Sequence, residues 1–92
     1  MQPIFHHEHE ALEHARIHYG ERLRMIKVHH DIVAEILGDG SDPEGMNARA
    51  SAAVLAGSIH GEGQGVLGNL IDFIIAHPKL AKLIVTLILG ML

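Results

Sequence analysis

Four side chains able to bind a metal recur at every fourth position near the start of the sequence: His6, Glu10, His14 and His18. On a helix they share one face, and imidazoles one turn apart can ligate the same first-row divalent ion. Glu13 lies within comparable reach of His9 and His14. The chain holds nine histidines in 92 residues, and five fall in the first eighteen, so its ligand and proton chemistry is concentrated there. The competing reading is a solvated His/Glu surface, because the row sits off the apolar seam of the same helix. The inward-facing Glu-x-x-His arrangement of di-metal four-helix proteins is absent. Three positions after Glu8, Glu10, Glu13, Glu21 and Glu35 stand Ala11, Glu13, Arg16, Arg24 and Gly38.

A second kind of chemistry is proton uptake. His18, His29 and His30 fall on or near the apolar seam, and histidine titrates close to pH 6.5. Mild acid would place charge at a packed contact, and the expectation is that it loosens any assembly made by this helix.

Catalytic patterns are missing. There is no cysteine, hence no thiolate, disulfide framework or redox centre. Ser41, Ser51 and Ser58 occupy capping, small-residue and loop contexts without a nucleophile-elbow pattern. GEGQGVLG has no preceding strand and no lysine, so it does not fit a phosphate-binding loop. The net charge of −4, without a basic block, argues against nucleic acid as the main partner. The expectation is a protein that is not an enzyme and has no cofactor.

The elements that would position these residues are all helical. Phe5, Leu12, Tyr19, Ile26 and Val33 recur every seven residues, with Ile4, Ala11, His18, Met25 and Ile32 one position earlier. This predicts one long amphipathic helix over residues 1–37, about 50 Å long if unbroken, with Gly20 as the expected bend. A coiled-coil seam is weakened by Glu8, Arg22 and His29 at the complementary positions. Residues 38–45 read as a turn: Gly38 suits the left-handed residue ending a helix, and Ser41 or Asp42 before Pro43 suits an N-cap followed by proline. An alanine-rich helix over 46–57 follows, with Ala48, Ala52 and Ala56 on one face where another helix could pack closely. Residues 58–65 read as a glycine-rich linker.

The final segment, 66–92, is the most apolar. Its polar or small residues, including Asn69, Asp72, Lys79, Lys82 and Thr86, recur every three or four positions and form a narrow stripe. The phase of that stripe across Pro78 predicts one proline-kinked helix, with a fold-back into two helices as the alternative. A helix apolar on its other sides needs lipid, copies of itself or a partner. The segment is long enough to span a bilayer. Asp72, His77, Lys79 and Lys82 lie near its middle, however, where each ionised residue costs about 2.5–3.5 kcal/mol. Bundled copies could turn the stripe inward, or the end alone could insert shallowly with its lysines at headgroup level.

These features predict an all-α, homo-oligomeric, self-assembling structural protein, a subunit of a virus particle, filament or membrane-inserted tube. A membrane-active pore or lysis-type protein is the second reading, and a His-rich metal-binding module the third. The N-terminus lacks the basic and apolar regions of a cleaved leader. The expected setting is therefore intracellular, virion or membrane-associated through the C-terminal segment, with a membrane or hydrophobic protein as further partner.

Overall fold

The computed structural model describes residues 7–26 and 30–92, and these form an all-helical fold. Helix α1 (Glu8–Ala15) continues through a π-helical turn (Arg16–Gly20) into α2 (Glu21–Arg24). The buried residues of this segment, Ala11, Ala15, Tyr19 and Leu23, are four apart. In a pure α-helix a row of fours drifts by about 40° per step. The wider π turn offsets part of that drift and keeps the row on the core. Gly20 ends the π turn with helical dihedrals, φ −59° and ψ −51°. It is buried, and a Cβ there would lie 2.5 Å from Met91 Sδ, so the glycine lets the last helix approach closely.

The single helix expected over 1–37 is not what forms. Met25 and Ile26 make a turn in which Ile26 N–H donates to Leu23 O at 3.0 Å, and the next described helix is α3 (His30–Leu37). A 50 Å rod would overrun a molecule whose longest extent is 37 Å. The turn instead lets Val33, Ile36 and Leu37 of α3 join the common core.

The predicted turn forms over 38–42 but not through 45, because the alanine-rich helix starts at its cap and proline, three residues before 46, and ends at Leu55, before 57. Gly38 (φ +58°) follows α3, and Asp42 Oδ1 accepts from Gly45 N–H at 3.0 Å to cap α4 (Pro43–Leu55). Arg49 of α4 reaches back to Ile36 O at 3.0 Å, satisfying a carbonyl in the last turn of α3. Gly40 (φ +81°) presses against the last helix: a Cβ there would stand 2.8 Å from Ala81 O and Lys82 Cα. Helix α4 ends in a Schellman motif, with Ser58 N–H donating to Ala53 O and Gly57 N–H to Val54 O. The linker is shorter than expected, because α5 (Glu62–Ala76) starts four residues before position 66.

At Pro78 the chain turns by 106° between α5 and the last helical segment, a 3-10 turn (Pro78–Leu80) leading into α6 (Ala81–Met91). This overturns the expected kinked continuation. Proline cannot donate to Ile74 O, and His77 N–H takes that acceptor together with Phe73 O, at 3.1 Å each. Leu80 N–H then bonds His77 O and starts the next segment. The corner resolves the burial problem of residues 66–92 within the chain. Leu67, Leu70, Ile71, Phe73 and Ile74 of α5 and Ala81, Ile84, Val85 and Ile88 of α6 enter one core with α1–α4. Helix α4 lies along α5, and α6 lies along α1 and the π turn. The Cα radius of gyration is 12.0 Å, which size scaling gives for one compact unit of this length, about 12 Å. The stated need for lipid or further copies to cover this segment therefore does not hold for its buried faces.

Candidate functional site

Each residue singled out from the sequence has a definite place. Glu10 and His18 are exposed and His14 is partly buried, while His6 lies outside the described residues. No group of three or more His, Asp or Glu side chains among the described residues is arranged to hold a metal. The rings of His14 and His18 instead lie against each other, with centroids 4.2 Å apart and planes tilted by 35°.

Of the histidines expected at the seam, His18 and His30 are exposed and His29 lies outside the described residues. The imidazole that does meet the core is His14. Its ring centroid is 5.2 Å from that of Phe73, which is fully buried, and 5.7 Å edge-on from Tyr19. His77, at the corner after α5, lies 4.6 Å from the same Phe73 ring. Two imidazoles from separate elements thus share one core aromatic. His77 carried no signal for this role, since its approach to α1 depends on the 106° turn.

The electrostatics follow from the packing. Burial lowers the pKa of His14, and the positive charges of His18 and His77 lower it further. Burial raises the pKa of Tyr19, Asp72 adds to the rise and Arg22 opposes it. Elsewhere the perturbed groups are surface pairs. Glu13 is lowered by its hydrogen bond with Arg16, whose Nε donates at 3.2 Å. Asp39 is lowered by hydrogen bonds from Ser41, whose backbone N–H donates to Oδ1 at 2.9 Å. Such exposed pairs add little to stability.

The stripe of Asn69, Asp72, Lys79, Lys82 and Thr86 is exposed throughout. It divides at the corner into the solvent faces of α5 and α6, and Thr86 Oγ1 donates to Lys82 O at 2.8 Å. It lines no interior within the chain. No single helix among the described residues is long and apolar enough to cross a membrane, although α5 and the Pro78–Met91 segment reach that composition together across their 106° bend.

Ala48, Ala52 and Ala56 are exposed as well, so none of the described helices packs on them. The buried side of α4 is the opposite one, with Met46 and Ala50. The outward face also carries Leu55, which is 89% exposed. A second apolar surface lies between α1 and α6, where Leu12, Leu83 and Leu87 line a groove of about 380 Å³ edged by Glu13 and Arg16. Leu83 is 53% exposed. No buried polar or charged residue occurs among the described residues. No protein-family model matches the chain, nor does any curated protein or solved structure compared with it.

Proposed function

We propose that this protein is a non-enzymatic helical module that assembles with copies of itself. The observation that carries the reading is Leu55, standing almost free on α4 among Ala48, Ala52 and Ala56. Small neighbours let a second surface approach closely, and a large aliphatic side chain projecting from them can enter a groove. The groove between α1 and α6 is apolar and of a size to receive such a side chain. Contact between these two different faces is head-to-tail and can repeat, building rings or filaments from one kind of subunit. The assembly thus uses faces left over by the fold, not the buried sides of α5 and α6.

The test is mass by light scattering over a range of concentration. The wild-type mass should rise with concentration, and Leu55→Asp or Leu83→Asp should each reduce it to one copy. Mixing the two variants in equal amounts should restore a two-copy species, because each retains the face the other lacks. A wild type that stays single-copy at every concentration would defeat the reading.

A further inference from the structure

We infer that His14, packed with His18 and His77 around the Phe73 ring, forms an acid-sensitive latch, holding α1 against the α5–α6 corner at neutral pH and releasing it when the His14 imidazole takes up a proton. This goes beyond the assembly reading and does not depend on it.

The geometry places proton-binding rings where α1 attaches. His14 on α1 and His77 at the corner approach the buried ring of Phe73 at 5.2 and 4.6 Å, and His18 lies 4.2 Å from His14. The buried residues of α1 are Ala11 and Ala15, and Leu12 packs partly buried against the core. Alanines bury little apolar area each, so the aromatic contact adds materially to what Leu12 supplies in fixing this helix. Neutral imidazole packs there as a polar-edged aromatic. An imidazolium loses hydration on entering the contact and meets a second imidazole of the same sign. The face of Phe73 attracts a cation, while burial of His14 and the like charges of His18 and His77 oppose one there.

His18 acts on His14 from its own helix and His77 from the corner, where Lys79 adds further positive charge. Glu8 lines the corner beside His77 and Lys79, and Asp72 and Arg22 act on Tyr19. The sign follows. His14 binds protons less readily folded than unfolded, so its contribution is complete above the ordinary value of 6.5. It is lost as pH falls from there through the lower folded-state value. That window opens at the ordinary histidine value, above the carboxylate range, where Glu13 has an ordinary value of 4.5 and is lowered further.

The chain reports on itself, because Tyr19 is its sole tyrosine and there is no tryptophan. Tyr19 lies 5.7 Å from both His14 and Phe73. Tyrosine fluorescence and near-UV circular dichroism of the full chain should change reversibly between pH 7.5 and 5, with a midpoint below 6.5. His14→Phe keeps a ring at the contact but cannot titrate, and should flatten the response over that range. His77→Gln should shift the midpoint toward 6.5 by removing one like charge. A flat wild-type response, or a His14→Phe transition at the wild-type midpoint, overturns the inference. If His14→Phe does not fold, an NMR titration of wild-type His14 decides: a value at or above 6.5 overturns the latch, and one below it supports it.

Discussion

On α5 and α6, the polar and small residues that recur at helical spacing all face solvent, and large aliphatic side chains fill much of the remaining surface. On α4, the residues at helical spacing are alanines, and most of their neighbours are small too. The first pattern names its outer face without ambiguity, because burying Asp72 or Lys82 instead of Ile71 or Ile84 would cost several kcal/mol each, roughly. The second pattern does not. Turning α4 to bury Ala52 instead of Ala50 changes apolar area by little, so the large side chain Met46 and the neighbouring helices set its rotation. A periodic row therefore locates a buried face only when the residues beside it differ strongly in their cost of burial.

Five substitutions, in three comparisons, can break or sharpen that contrast. The largest effect is expected for Phe73→Ala, on the high-contrast side, with a loss of about 3–5 kcal/mol from the cavity and the lost transfer energy. It should appear as a lower urea midpoint at unchanged slope, and a loss below about 1 kcal/mol would contradict a close-packed ring. Next is Gly40→Ala, where a left-handed φ coincides with a backbone contact at 2.8 Å. Thermal melting should show a loss on the order of 2–3 kcal/mol, compared with under about 1 for Gly65→Ala, where nothing lies near the added methyl. The smallest effect should separate the two sides of α4. Ala50→Gln should destabilise by about 1–3 kcal/mol through overpacking, whereas Ala52→Gln should stay within about 0.5 kcal/mol. Equal losses at both positions would mean that the exposed alanine face is covered by another chain.

Much of the framework was legible in local chemistry. Gly38, Asp42 and Pro43 foretold a helix stop, a cap and a restart, since each acts through its own backbone or nearest neighbours. The break at Met25–Ile26 had no such mark: no glycine or proline is present, and the turn reflects where Val33, Ile36 and Leu37 must go. The π turn at Arg16–Gly20 is equally silent, because its cause is the row of buried residues facing other helices. Among the candidate sites, the histidine row suggested shared ligands, but ring packing and the approach of Phe73 gave His14 a different setting from Glu10 and His18. The exposed seam residue Met25 and the exposed alanine row show the same limit, since spacing alone does not reveal what lies opposite.

The amino-acid order by itself determined that this chain is helical, where proline and glycine interrupt it, and that Asn69, Asp72, Lys79, Lys82 and Thr86 share one narrow polar stripe apart from the aliphatic residues. Those outcomes depend on backbone chemistry and on large differences in burial cost, which act locally. Only the tertiary structure decided that residues 62–92 fold into two helices covered by their own chain, and that His14 and His77 meet across Phe73. The angle at a proline corner is set by whatever apolar surfaces it brings together, and those come from helices distant in the chain.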